Sequence, residues 1–511
     1  MTSRLHGASL LRAHDVQFYR ICEDVTETLI YLMVVFSPWA FGTTQSWSIW
    51  TMNGAGCCLG ALLAVKLFIR RAKGYVPPRW DNQSAISPGP QRHVWRLTAG
   101  QLTAVLLTLT IGILAYCLLG ALNAAATYHP EALGFTYHTY LKWLPHSFDS
   151  HRTWLAFWNY LGLACAFWAL TDWLPGKAAG EERAARQPTA PDRVGRAPLL
   201  PARLRRLLWV LCINGALVGL EGIAQRLEGS GRLLFLIKPV INPEAVSQFG
   251  PYHYRANAAA YFNLVWPVCL GFWWTLQRSA GSRRKGHHLL LLCGVIMAAC
   301  PMISTSRGGA LVTAGIIALA AFFLIATHFL MAAHRQEDGR ARRITLALLL
   351  LFFSATLALG FALGWRALKP RMAQIHEGFA NREEMYAAAR PMAADYPVFG
   401  TGPGTFDPVF QLYRISTETY WPAQLHNDWM ETRITFGSLG CVLIGLALVS
   451  VLFRWFTRGG LHGGRRFMIL MWLALAGCLV HARFDFPFQI WSILFLFLVW
   501  CAIVFNLSRR A

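Results

Sequence analysis

The sequence predicts an all-α integral membrane protein with about twelve transmembrane helices and a large, partly helical loop on one face. Three observations predict it. Of 511 residues, 55% are hydrophobic and only 14% charged, where a soluble chain carries charge on about a quarter of its residues. The mean hydropathy is +0.38. The apolar residues are gathered into long runs, and a hydrocarbon core of about 30 Å needs about 20 such residues per helix, because lipid offers no partner to free backbone groups. Disordered, collagenous, disulfide-scaffold and cytosolic-enzyme classes are excluded at this step.

Reading along the chain, the candidate spans are 25–43, 49–69, 98–121, 154–174, 206–225, 257–276, 288–304, 310–332, 344–365, 434–455, 467–482 and 489–506. Asp172, Glu221 and Pro267 interrupt the fourth to sixth, and the eleventh is short. The first 24 residues hold Arg4, Arg12, Arg20, Glu23 and Asp24 without an apolar core. No cleavable leader is therefore expected, and 1–24 is read as cytoplasmic. With that orientation the cytoplasmic side holds 31 Lys and Arg residues, counting Arg206 and Arg454 at the cytoplasmic ends of the fifth and tenth spans, the opposite side holds 15, and Lys66 stays inside the second span. That asymmetry is the positive-inside signal. It places both termini, 1–24 and 507–511, in the cytoplasm. It also accounts for most of the formal charge of +22, so a nucleic-acid partner is not expected.

The loops differ in kind. Residues 175–205, within the 25–365 block of helices one to nine, are rich in Ala, Pro and Arg and suit a solvated cytoplasmic linker. The extracytoplasmic segment 366–433 instead carries Tyr386, Phe399, Phe406, Tyr413, Tyr420 and Trp421, enough apolar surface to pack. Ile375, Phe379, Met385, Ala389 and Met392 recur every three to four residues, which predicts a helix over 374–395. Asp395-Tyr396-Pro397 ends it, because the residue before proline disfavours helix. Loops 122–153 and 226–256 face the same side, and 434–506 supplies helices ten to twelve. No internal repeat is evident. Of twelve cysteines, eleven fall in the expected spans; neither a disulfide framework nor a metal-ligand spacing is expected.

Several constellations could carry chemistry. Ser304-Thr305-Ser306-Arg307-Gly308-Gly309 joins two spans and holds Arg307 at the membrane boundary, where an arginine needs water, a carboxylate or a phosphate. Arg255, Arg366, Arg371, Arg382, Arg390 and Arg414 stand on the loop face against the positive-inside trend. Guanidinium is the group that recognises phosphate bidentately. Pro397 to Phe410 spaces Gly400, Gly402 and Gly404 like a dinucleotide fingerprint, yet no strand precedes it and Pro403 interrupts it, so it reads as a rigid turn. Gln424-Leu425-His426-Asn427-Asp428-Trp429 precedes a span; imidazole is suited to general-base work near neutrality. Asp428 or Glu431 could orient its second nitrogen. In His481-Ala482-Arg483-Phe484-Asp485, Asp485 is a candidate ion-pair partner for His481 and Arg483.

In this order, the motifs resemble the O-antigen ligase-like superfamily of bacterial polytopic glycosyltransferases. The resemblance rests on SRGG at 306–309, DYPVFGTGPGTF at 395–406, LHNDW at 425–429, FGSLGCVLIG at 436–445 and HARFDFPFQ at 481–489. It implies transfer of a glycan from an undecaprenyl-diphosphate carrier to a glycan or lipid acceptor hydroxyl, at the periplasmic face of the bacterial inner membrane. It also implies no cofactor and no metal. Carried over, His426 would deprotonate the acceptor, while Arg307 and Arg382 would hold the diphosphate. Arg255, in a His253-Tyr254-Arg255-Ala256-Asn257 stretch that departs from the family's usual Asn-Pro-Asn-like segment, would join them. Asn427, Asp428 and Arg483 complete the candidate substrate-binding set.

The same chemistry serves a ligase, whose acceptor is lipid A-core or another final acceptor, and a polymerase, whose acceptor is another lipid-linked repeat unit. No local feature separates the two. A lipid-linked glycan transporter or flippase is the reading from another class. It fits the number of spans, but lacks evident repeat symmetry and a coupling carboxylate in mid-membrane.

Overall fold

The computed structural model describes residues 11–80, 99–186, 200–279, 286–332, 339–414, 423–455, 461–462 and 464–508. These form α1 (Ala13–Trp39), α2 (Ser46–Lys73), α3 (Ala99–Leu122), α4 (Ser150–Trp173), α5 (Ala179–Arg186), α6 (Ala202–Glu228), α7 (Arg255–Ser279) and α8 (Leu289–Ile303). There follow α9 (Arg307–Ala332), α10 (Gly339–Gly360), α11 (Arg366–Ala373), α12 (Ile375–Asp395), α13 (Phe406–Phe410), α14 (Asp428–Arg454), α15 (Arg465–His481) and α16 (Trp491–Asn506). Among the described residues the fold is thus all-helical apart from two small strand pairs. In the 122–153 loop, β1 (Ala126–His129) and β2 (Gly134–Tyr137) form an antiparallel hairpin. Two-residue strands β3 (Leu461–His462) and β4 (Leu507–Ser508) pair in parallel.

Among the described residues, eight helical stretches are long and apolar enough to cross a bilayer: Ser46–Lys73, Gly100–Leu122, Ser150–Trp173, Ala202–Glu228, Gly286–Ile303, Arg307–Thr327, Arg343–Ala373 and Asp428–Arg454. The other four expected spans also fall on helices, but each departs from that pattern. α1 carries Glu23, Asp24 and Glu27, α7 contains Asn257, Asn263 and Pro267, and α15 and α16 have 17 and 16 residues. Among the described residues, length and apolarity thus support eight of the twelve expected spans.

α7 lies at the centre of the bundle. It is buried along almost its whole length and packs most extensively against α8 and α15. The interruptions seen in the sequence are explained by pairing. Lys66 is fully buried and meets Glu23 at 2.9 Å and Asp172 at 3.1 Å. Asp172 also accepts from Arg79 at 3.0 Å and from Arg70, and Glu23 pairs with Arg203. A buried charge is tolerated only when its partners are this close. These contacts join α1, α2, α4 and α6.

The segment expected to be a loop from residue 366 begins later. α10 continues through a widened π-turn at Phe361–Trp365 into α11, so helix persists to Ala373. α12 then occupies nearly the expected 374–395 range and stops at Asp395, before Tyr396-Pro397. Its Tyr386, Ala389 and Met392 form a small core with Phe406, Val409, Phe410, Leu425 and Ile434. Tyr420 and Trp421 lie outside the described residues, as does 187–199 of the expected linker. The glycine-rich turn docks on α14, where Thr401 and Gly402 donate backbone hydrogen bonds to Ile434 (2.9 Å) and Thr435 (3.0 Å). Gly400 (φ 68°) and Gly437 (φ 61°) meet there backbone to backbone, and a Cβ on either would clash.

Candidate active site

His426 lies in the turn that opens α14, with φ 55°, a left-handed conformation that is strained for a residue bearing a side chain. Four contacts hold it there. Leu425 N–H donates to the buried Glu431 carboxylate at 2.8 Å, and Asn427 Oδ1 caps α14 by accepting from Met430 N–H at 3.2 Å. Asp428 N–H donates to Ala482 O at 2.8 Å, and Tyr386 Oη donates to His426 O at 2.9 Å. The imidazole is thereby fixed across from the α15–α16 connection. Its Nδ1 meets Asp485 Oδ1 at 3.0 Å, and its ring packs edge-on against Phe486 at 4.8 Å and Tyr254 at 5.9 Å. With Nδ1–H engaged by a carboxylate, the lone pair is left on Nε2, the arrangement a general base requires.

Burial pushes the Asp485 carboxyl up. The His426 hydrogen bond, the His426 charge and the Arg382 guanidinium overcome it and hold the group below the usual carboxylate range. Its other oxygen accepts from Tyr254 Oη at 3.3 Å and lies 3.8 Å from Arg382 Nη2. Tyr254 stacks on Phe486, nearly parallel at 5.4 Å. Burial, then the Asp485 charge, raises its hydroxyl pKa, so it stays protonated.

Asp485 and Tyr254 also form part of the wall of a cavity of about 430 Å³ whose lining includes Arg255, Arg307, Arg371 and Arg382. Among the lining residues, Asp485 is the single acid facing four guanidinium groups. Arg307 is the first residue of α9, after Thr305 in a left-handed turn (φ 63°), and its Nη1 donates to Gln374 O at 2.8 Å. Gly378 of α12 lies against that guanidinium, so closely that a Cβ would collide with it. Arg255 begins α7 and donates to Val246 O at 2.7 Å; Arg382 reaches from α12 to Phe484 O. Two helix starts, the last turn of α11 and one loop helix therefore aim cations at one volume. Below them the cavity becomes an apolar trough between α9 and α15, lined by Leu311, Ile316 and Leu319 on one side and by Leu473 and Ala476 on the other. Arg307 to Leu319 spans about 18 Å at 1.5 Å per helical residue.

Of the residues singled out in the sequence, the structure brings Arg255, Arg307 and Arg382 into this cavity, with His426 beside it. It does not bring Asn427, Asp428 or Arg483 into the lining. Asn427 is spent on the helix cap. Asp428 is buried and accepts from Phe488 N–H at 2.8 Å and from Gln489 Nε2 at 3.4 Å, bracing α14 against the α15–α16 connection. Arg483 is exposed. Neither Asp428 nor Glu431 orients His426: each carboxylate already accepts from backbone, and Asp485 does the orienting instead. Asp485 accordingly faces His426 and Arg382, whereas His481 is buried with both ring nitrogens lacking a hydrogen-bond partner. Sequence reasoning missed Asp485's role and that of Tyr254, which stood only as a neighbour of Arg255. Arg371 was named with the loop arginines, but nothing set it apart from Arg366, Arg390 or Arg414. Among the described residues no group of three or more His, Cys, Asp or Glu side chains is placed to hold a metal ion, and all twelve cysteines are free thiols.

Comparison with curated proteins finds no match. Residues 292–445, which contain the Arg307 turn, α12 and the His426 segment, match the model of the family described as O-antigen ligase.

Proposed function

We propose that this chain transfers a glycan from undecaprenyl diphosphate to an acceptor hydroxyl, in the manner of an O-antigen ligase. The site faces the periplasm, in a topology with both termini in the cytoplasm of a bacterial inner membrane. The observation that carries the reading is the convergence of Arg255, Arg307, Arg371 and Arg382 on one cavity whose lining contains one carboxylate, with an oriented histidine alongside. Such an excess of fixed cations suits a dianion, and the apolar trough beneath suits a polyprenyl chain that never leaves the bilayer.

In this reading His426 Nε2 takes the acceptor's hydroxyl proton as that oxygen attacks the anomeric carbon. The bond from the anomeric carbon to the diphosphate oxygen breaks, its electron pair leaving with the diphosphate. Direct in-line displacement inverts the anomeric configuration. Asp485 stabilises the imidazolium that forms, and the guanidinium groups stabilise charge on the leaving oxygen without reorganising. The proton passes from His426 to water after product release.

Purified protein in proteoliposomes, given an undecaprenyl-diphosphate glycan and an acceptor, tests the reading by the appearance of joined product together with free undecaprenyl diphosphate. Failure to release the diphosphate carrier under conditions where the protein is folded refutes it. Glycan lengths in a deletion strain identify the acceptor class. Long lipid-linked chains lacking their final acceptor indicate a ligase, and single repeat units indicate a polymerase.

A further inference from the structure

The connection from α6 to α7 does not resemble a water-facing loop at its tip. Leu236, Val240 and Ile241 are 77%, 95% and 66% exposed, and Phe235 and Ile237 are exposed beside them. A contiguous exposed apolar run in a well-formed segment marks a contact surface. The segment is rigidly built. Gln225 Nε2 donates to Arg232 O at 3.0 Å, Gln248 Nε2 to Asn242 O at 2.7 Å, and Arg226 Nη1 to Ala245 O at 3.0 Å. At the tip, Leu233 and Ile237 exchange backbone hydrogen bonds of 2.8 and 3.1 Å. Part of the tip's polar backbone is therefore satisfied internally, as entry into a lipid phase demands.

We propose that residues 233–241 form an interfacial wedge seated in the lipid leaflet on the face that carries the arginine cavity. Three features favour lipid over a protein partner. The segment follows directly from a membrane-crossing helix whose exposed apolar stripe, Ile213, Leu217, Leu220 and Leu227, leads along the chain into it. Arg232 and Lys238 are exposed within and beside the run, placed to reach phosphate headgroups while their stems lie along apolar surface. No acidic residue interrupts 231–243. The wedge is tied to the site: Val246 O, at its base, accepts from Arg255 Nη1. Seating the wedge therefore fixes Arg255, and the cavity mouth with it, at headgroup depth. The proposal requires only that the chain spans a membrane, and stands or falls separately from the glycan-transfer reading.

The test is a small environment-sensitive fluorescent amino acid at position 240, with position 131 in the β1–β2 turn as the aqueous reference and position 217 on α6 as the lipid reference, in full-length protein in nanodiscs. At 240 the emission should be blue-shifted toward that at 217, strongly quenched by lipids carrying a nitroxide on the upper acyl chain, and weakly quenched by iodide. Quenching by iodide equal to that at 131 overturns the wedge. Protection from both quenchers also overturns it, since a protein surface would then cover the tip.

Discussion

Replacing Asp485 by Asn isolates the orienting carboxylate while keeping its shape. The wild-type oxygen lies 3.0 Å from His426 Nδ1. When the imidazole takes a proton, charge centres about 4 Å apart attract by about 4 kcal/mol at an effective dielectric constant of about 20. Some of that attraction is already spent, because Arg382 at 3.8 Å and Tyr254 at 3.3 Å share the other oxygen, and the amide still gives a neutral hydrogen bond worth about 1 kcal/mol. The expected loss is about 2–3 kcal/mol of transition-state stabilisation, or roughly 30- to 150-fold in kcat. The donor's KM should stay level or fall, since a negative charge leaves a wall that faces the diphosphate. Steady-state transfer in proteoliposomes measures both constants, with thermal unfolding as the control for fold. Turnover within about threefold of the parent, under ~0.7 kcal/mol, would refute the orienting role.

The other substitutions probe separate parts of the site. Arg307→Lys keeps the charge and loses the planar fork, so donor KM should rise and kcat fall, together by about 10²-fold; wild-type kinetics would reduce Arg307 to a membrane-boundary anchor. Gly378→Ala pushes a methyl group into the Arg307 guanidinium, and weaker donor binding by about 1–3 kcal/mol should follow without loss of the fold, read by titration with the lipid-linked donor. Asn427→Ala removes the α14 cap and should lower stability by about 1 kcal/mol, while the folded fraction, with the other three contacts still holding His426, keeps most of its turnover and the parent's donor affinity. Lost turnover at unchanged stability would return Asn427 to the substrate-binding set.

How much was legible in the sequence follows from the range over which each signal acts. Apolar runs and the spacing in 374–395 are local, so α12 was read nearly to the residue and most other helices to within a few residues, although α1 already begins at Ala13, in the stretch expected to precede the first span. The end of the ninth span was not, because Arg366, Lys369 and Arg371 read as a water boundary although the helix carries them on to Ala373 through a π-turn. The positive-inside trend made every loop-face arginine conspicuous, but it was the resemblance carried by the SRGG turn and the loop motifs that singled out Arg255, Arg307 and Arg382 from Arg366, Arg371, Arg390 and Arg414. Asp485 could not be matched to His426 from spacing alone: 59 residues and two helices separate them, while Asp428 and Glu431 lie nearer in sequence. Those two carboxylates are committed to the backbone of Phe488 and Leu425, which only the folded turn reveals. The β1–β2 hairpin was likewise hidden, its register depending on pairing across the turn.

The central claim is a division of labour, with arginines holding the diphosphate and His426 taking the proton. Donor binding and single-turnover transfer measured side by side on His426→Ala test it most directly. Donor affinity should match the parent while transfer falls by about 10²–10⁴-fold, leaving the lipid-linked glycan intact. Transfer at the parental rate, or donor affinity lost in step with transfer, would contradict the account.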